Sequence, residues 1–164
     1  MLSNALQKAL NEQIKNELYS SYLYLAMSAH FEAASFPGFA KWTRIQSNEE
    51  LEHGMKFFDF INDRDGRVGL LAIDAPPVEF GTPLEVFKMV LEHEVKVTGT
   101  IHRLYELALK ENDYPTQVML HWFIDEQVEE EKNATAIVDQ LQMADDHKGL
   151  LLNIDHHVGK RGAE

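Results

Sequence analysis

The two halves of the chain carry the same pattern of side chains that can bind a metal ion. In each half, a lone glutamate is followed 33 residues later by a polar pair three positions apart, and the second pattern is the first displaced by 77 residues. Side chains at i and i+3 project from one face of a helix. The pattern is therefore typical of a helix bundle in which each half offers a lone carboxylate and one pair to a two-metal site. The six candidate ligands are Glu17, Glu50, His53, Glu94, Gln127 and Glu130.

Helical periodicity extends along nearly the whole chain, with apolar and small residues recurring at spacings of three and four. Ser3 is a candidate N-cap for the first helix, and Thr82 and Glu85 have the capping-box spacing with a proline at the first helical position. Asp145 and Asp146 are candidate caps for a short last helix. We predict one all-α domain over residues 1–164, with helices at about 3–34, 38–63, 83–112, 115–143 and 147–158.

The lengths of the connections predict how these helices are arranged. The short turns after the first and third helices can join only antiparallel neighbours, whereas about 18 residues separate the second helix from the third. Fully extended, that segment spans roughly 60 Å, whereas the second helix is only about 40 Å long. We therefore predict a crossover that makes the second and third helices parallel, giving a four-helix bundle of two related hairpins with a short fifth helix.

The candidate ligands are predicted to lie at one height in the bundle and to point inward. In an antiparallel hairpin, residues equidistant from the turn lie side by side; positions 17 and 53 are centred on 35, and positions 94 and 130 on 112, which are the two turns. Each candidate also falls within the apolar stripe of its own helix. Buried carboxylates are costly unless neutralised, and no Lys or Arg shares those stripes near them, so bound cations are the simplest compensation. A carboxylate-rich set with a single imidazole favours iron or manganese over structural zinc.

Composition excludes several other classes of function. The net charge of -12 would repel nucleic acid and anionic membrane surfaces but attract cations. The chain has no cysteine, which removes disulfides, Cys-ligated metal centres and thiol nucleophiles. Its first residues lack the basic-then-apolar profile of a signal peptide, and no apolar run approaches the length of a membrane span. We expect a cytoplasmic protein.

Four further side chains near the same height are secondary candidates. Tyr24 follows Glu17 by two turns on the same face and either hydrogen-bonds a ligand, donates an electron or is a core tyrosine satisfied by a carboxylate. The other three either solvate the helix surface or together form a third, more exposed metal position: Glu49, Glu126 and Glu129. A single Glu-x-x-His match carries little weight, because chance alone gives about one in a chain of this composition. The matched set over four helices is what favours a metal site.

The chain resembles the prokaryotic non-haem ferritins over essentially its whole length. The resemblance rests on the six candidate ligands, on the stretch from Tyr19 to Leu25, on residues 126–131, on the crossover and on the short fifth helix. The chain is less similar to bacterioferritin. That family has a second Glu-x-x-His where this chain has Gln127 and Glu130, and a haem-ligating methionine where this chain has Leu51. No haem is expected. The lack of cysteine also excludes the Cys-rich domain that rubrerythrins normally carry.

The resemblance implies an iron-storage protein with ferroxidase activity. It implies that Glu17, Glu50 and His53 bind one iron, that Glu50, Glu94, Glu130 and Gln127 or its neighbourhood bind a second, and that Glu50 bridges the two. A third iron would lie at Glu49, Glu126, Glu129 and Glu130. Fe(II) would be oxidised by O2 or H2O2 and deposited as ferric mineral inside a homo-oligomeric shell of 24 copies. The alternatives are a dimeric diiron oxidoreductase or peroxidase without storage, and a purely structural helical protein.

Overall fold

The computed structural model describes residues 2–145 and 147–162, and within these ranges it contains five helices and no strand. The helices are α1 (Asn4–Ala33), α2 (Pro37–Asp63), α3 (Pro83–Lys110), α4 (Tyr114–Ala144) and α5 (Lys148–Val158). The predicted all-α fold and the number of helices are confirmed. Among the described residues, none of the helices combines the length and the hydropathy that a membrane span requires.

Two of the predicted helix starts have the expected caps, and one does not. The Ser3 hydroxyl accepts a hydrogen bond from the backbone N–H of Leu6, and Thr82 opens α3 with a complete capping box. The prediction that Asp145 caps α5 is wrong: α4 continues to Ala144, so Asp145 is used in the turn that ends it, at a φ of 47°. His147 caps α5 instead, through its side chain. The other predicted cap, Asp146, lies outside the described residues.

The first four helices form two antiparallel hairpins. In the first hairpin, each of Ser21 and Ser47 donates its hydroxyl to the other's carbonyl oxygen at 2.7 Å, which holds α1 and α2 close together. The turns contain Ser35 and Asn112, with φ values of 63° and 54°, at the two predicted hairpin centres. Helices α1 and α3 are also antiparallel, because the start of α1 contacts the end of α3 through Ser3 and Glu111. Helices α2 and α3 are therefore parallel, as predicted.

The connection between α2 and α3 runs along the full length of α1. At its start, the backbone N–H groups of Arg67 and Gly69 donate to the side chains of Gln7 and Asn11, each at 2.7 Å. At its end, the ring of His30 hydrogen-bonds the carbonyl oxygen of Gly81 at 2.9 Å. The predicted crossover is confirmed, and it returns the chain to the end of the bundle where α2 began.

Two hydrophobic clusters fill the bundle, one on each side of a polar middle layer. One cluster is centred on packed aromatic rings, among them Phe39 and Phe87 with centroids 5.2 Å apart. The other contains Phe57 stacked on Phe123 at 4.1 Å. These rigid apolar layers position the side chains between them.

Helix α5 docks against the start of α2. Phe36 gives α2 no side-chain cap, and the carboxylate of Asp155 takes that role by accepting the backbone N–H groups of Gly38 at 3.1 Å and Phe39 at 2.8 Å. The negative charge also suits the positive end of the helix dipole. This contact directs the segment after α5 back over α2.

Candidate metal centre

All six side chains predicted as ligands lie in the polar layer, and each is at most 5% exposed. They come from four helices, because the long period-3.6 stripes of α1 to α4 turn these positions toward the bundle axis. Their placement inside the bundle, predicted from the spacing, agrees with the structure. The residues are Glu17 on α1, Glu50 and His53 on α2, Glu94 on α3, and Gln127 and Glu130 on α4.

Three of them form a compact group suited to a cation. One potential ligand atom from each of Glu17, Glu50 and His53 lies within 4.8 Å of the others. Nδ1 of His53 lies 3.5 Å from Oε2 of Glu50. Oε1 of Glu17 accepts a hydrogen bond from Gln13 at 2.8 Å, but its Oε2 is buried without any hydrogen-bond partner. A buried carboxylate oxygen with no donor is costly, and a metal ion would satisfy it.

Glu94 is held by donors from two other helices. Tyr24 on α1 donates its phenolic hydrogen to Oε1 of Glu94, and Nε2 of Gln127 on α4 donates to Oε2 at 3.2 Å. Burial raises the pKa of Tyr24 well above its usual range, and the charge of Glu94 raises it further, so the phenol remains a donor. Of the roles considered for Tyr24, the structure provides the hydrogen bond to a candidate ligand.

The electrostatics of the layer favour a bound cation. Burial is the largest cause that raises the pKa of Glu17, Glu50 and Glu94. Burial and the charge of Glu94 raise the pKa of Glu130 to about 7. Because four acidic groups share this buried space, their ionised forms repel one another, and a divalent ion would relieve both the repulsion and the cost of burial.

The three carboxylates predicted to form a further metal position do not form a group with ligand atoms within 4.8 Å among the described residues, but Glu49 and Glu126 lie close enough to interact, since burial and the charge of Glu126 both raise the pKa of Glu49. Glu49 is part-exposed, and its Oε2 accepts a hydrogen bond from the guanidinium of Arg161 at 2.5 Å. Oε1 of Glu126 lies 3.9 Å from Nε2 of His53, and Glu129 is exposed on the surface of α4. Among the described residues, the group whose ligand atoms converge within 4.8 Å includes none of these three.

Three residues that contact the candidate ligands were missed by the sequence reasoning. Gln13 donates to Glu17, and Gln46 donates to Oε1 of Glu50 at 3.3 Å; each amide precedes its carboxylate by four residues, a helix spacing that would have indicated the contact. Arg161 gave no such signal, because 112 residues separate it from Glu49. The expectation of no positive charge near the ligands considered only the four long helices.

The chain is similar to ferritins in both sequence and structure. A family model for the ferritin-like domain matches residues 7–144. A bacterial non-heme ferritin from Bacteroides fragilis is 45% identical over 161 residues, covering 98% of this chain and 100% of the relative. Another, from Staphylococcus aureus, is 37% identical and covers 98% of this chain and 97% of the relative. An open pore ferritin from the hyperthermophilic archaeon Archaeoglobus fulgidus superposes with a TM-score of 0.97 at 45% identity, covering 98% of this chain and 99% of that one. The resemblance to prokaryotic non-haem ferritins is thereby confirmed, and the chain belongs to the ferritin family.

Proposed function

We propose that this protein oxidises Fe(II) at the buried polar layer and stores the Fe(III) product. The observation that carries the proposal is the burial of four glutamates and one histidine around a carboxylate oxygen that has no partner, Oε2 of Glu17. Hard oxygen donors with one imidazole suit ferrous and ferric ions. The names of the relatives, non-heme ferritin and ferritin, support iron as the substrate.

Different side chains of the polar layer would bind each of two Fe(II) ions. Glu17 and His53 would hold one ion, Glu94 and Glu130 the other, and Glu50 would contact both. Gln127 is assigned a supporting role, since its amide already donates to Glu94 at 3.2 Å. Tyr24 fixes the other oxygen of Glu94. The two apolar clusters exclude bulk water from this layer and so strengthen each charge interaction within it.

The chemistry that iron supplies is one-electron transfer from each ferrous ion to O2 or H2O2. The ferric product is then hydrolysed, which releases protons. Carboxylates of raised pKa such as Glu130, at about 7, are suited to give up protons when metal binds. The part-exposed Glu49 and Glu126, together with the exposed Glu129, would receive a third ion on its way out of the layer.

Storage requires a cavity, which a single bundle of this size does not enclose. We infer that residues 1–164 form one domain and that 24 copies assemble into a shell. The likeness to an open pore ferritin, with a TM-score of 0.97, supports a hollow assembly. The alternative, a diiron oxidoreductase or peroxidase without storage, would be a dimer. Size-exclusion chromatography separates the two, because 24 chains of 18.8 kDa give a mass of about 450 kDa.

The test of the oxidation centre is Glu50→Ala, with Glu52→Ala as its matched control. Glu52 lies two positions along the same helix but is exposed. We expect E50A to lose rapid O2-dependent Fe(II) oxidation, measured by stopped-flow absorbance, while circular dichroism still reports a folded bundle. E52A should keep the wild-type rate. A wild-type rate in folded E50A would remove the assignment.

A further inference from the structure

The segment after α5 places a positive charge beside the polar layer. The guanidinium of Arg161 donates one hydrogen bond to Oε1 of Gln46 at 2.7 Å and another to Oε2 of Glu49 at 2.5 Å. It also lies over the ring of Trp42, 4.9 Å from the centroid. Three different contacts therefore fix the planar group in one position.

Glu49 is the carboxylate that this guanidinium neutralises. Burial raises the pKa of Glu49, the charge of Arg161 lowers it, and the charge of Glu126 raises it. The side chains of Arg161 and Glu49 are 25% and 37% exposed, so water and ions can reach the pair. A metal ion approaching Glu49 would meet a carboxylate whose oxygen is already engaged and a positive charge that repels it.

We propose that Arg161 is a resident counter-ion of the third metal position, which must leave Glu49 before that carboxylate binds an ion. The inference rests on the proposed function, because it concerns the ion that follows the two held by the buried ligands. The ion pair lowers the affinity of Glu49 for metal, and this keeps the position weakly occupied. A weakly bound ion is suited to onward transfer, whereas a tightly bound one would block the layer.

The direct test is Arg161→Gln, with Lys160→Gln as the matched control. Both variants remove one positive charge from the same segment, but Lys160 is exposed and, among the described residues, makes no ion pair. Zn(II) serves as a redox-inert probe, and isothermal titration calorimetry measures each equivalent bound by the assembled protein. We expect R161Q to bind the third equivalent about fivefold more tightly than wild type, while K160Q does not. Glu49→Gln should remove the third equivalent from R161Q.

A second measurement uses the native arginine, in case R161Q does not fold. In a Trp122→Phe background, Trp42 is the remaining tryptophan, and it lies against Arg161. We expect its fluorescence to change as the third equivalent of Zn(II) binds, because the guanidinium leaves the ring. An unchanged fluorescence, or a third equivalent in R161Q that is as weak as wild type or weaker, would overturn the proposal. So would an equal gain in K160Q.

These outcomes also separate this inference from the proposed function. Two normal equivalents followed by a third that does not depend on Arg161 would overturn the inference alone. Conversely, if the first two equivalents were missing but R161Q still strengthened binding at Glu49, the buried two-ion site would be wrong and the role of Arg161 would stand.

Discussion

Tyr24 on α1 donates its phenolic hydrogen to the carboxylate of Glu94 on α3, across 70 positions of sequence. Both residues are completely or almost completely buried, so the bond is made away from water. Gln127 occupies the other oxygen of Glu94, which leaves that carboxylate oriented by two neutral donors rather than by a positive charge. Burial raises the pKa of Glu94 and the two hydrogen bonds lower it, so the donors favour the ionised form that binds a cation and also fix the orientation of the carboxylate.

Tyr24→Phe should weaken metal binding without unfolding the bundle. The variant removes one donor to Glu94 and keeps the packing of the ring against Trp42. We expect the affinity for the second equivalent of Zn(II) to fall by about 10- to 100-fold, the usual effect of losing a partner that orients a ligand. Calorimetric titration measures this change. Tyr19→Phe is the control, because it also removes a phenolic hydroxyl, but from a ring that contacts His93 and not Glu94. Equal affinities for Zn(II) in the two variants would contradict the role given to Tyr24.

The metal-free protein should lose stability as the pH rises. Burial and the charge of Glu94 raise the pKa of Glu130 to about 7 in the folded chain, whereas an unfolded glutamate titrates near 4.5. Between those values, the folded state binds more protons than the unfolded state, so the free energy of unfolding falls as pH increases from about 4.5 to 7. For Glu130 alone the loss is about 3 kcal/mol.

Urea denaturation of the metal-free protein at several pH values measures this dependence. Glu17, Glu50 and Glu94 have pKa values raised in the same direction and should add to it. Glu130→Gln should have a shallower dependence, because it removes one titrating group. A midpoint that rises between pH 5 and 7 would show that the carboxylates are not protonated in the folded state. Added Zn(II) should reverse the loss, since it stabilises the ionised forms.

The sequence predicted the parts of this structure that local pattern determines. Helical periodicity predicted the bounds of each helix to within a few residues. The same period predicted that the side chains of Glu17 and Glu94 point into the bundle. The hairpin centres at 35 and 112 coincide with turn residues of positive φ, so the common height of the ligands could be predicted by symmetry about each turn. The positions of Asp155 and Arg161 could not, because each acts on α2 from more than 100 residues away, through a docking geometry that no local spacing records.

Gly38→Ala should detach α5 from α2. A Cβ at Gly38 would lie 1.8 Å from the carbonyl oxygen of Asp155, a distance at which the backbone of one helix must move. The displacement would also break the two hydrogen bonds from the start of α2 to the Asp155 carboxylate. We expect a loss of about 3 kcal/mol or more, the range for overpacking a close contact and losing a helix cap together.

Thermal unfolding of G38A measures this loss, and Gly69→Ala provides a matched control. Nothing lies within 4 Å of the position that a Cβ would take at Gly69, so G69A should keep the wild-type midpoint. Hydrogen exchange in G38A should rise first in residues 148–158, if docking of α5 is what the methyl group disrupts. A wild-type midpoint for G38A would mean that the two helices can separate at no cost.

Asp113→Ala should destabilise the end of the bundle where α4 begins, which is opposite the end where α5 docks. The carboxylate of Asp113 accepts two hydrogen bonds at 2.9 Å from the guanidinium of Arg64 and one at 3.0 Å from the backbone N–H of Thr116, which caps α4. The pair is mostly shielded from water, with side-chain exposures of 19% and 11%. Removing a capping residue together with one partner of a bidentate pair should cost about 2–4 kcal/mol.

The pH dependence of this contact has the opposite sign to that of the metal layer. The hydrogen bonds from Arg64 hold the pKa of Asp113 well below its usual range. The folded state therefore binds fewer protons than the unfolded state, and the stabilisation is complete above about pH 4 and is lost as the pH falls further. Urea denaturation should show D113A and wild type far apart at pH 6 and closer together at pH 3. The control is Asp139→Ala, at an exposed position on α4, which should leave the free energy of unfolding unchanged at both pH values. If the difference in that free energy between D113A and wild type stays constant down to pH 3, the ion pair contributes nothing and packing alone accounts for the loss.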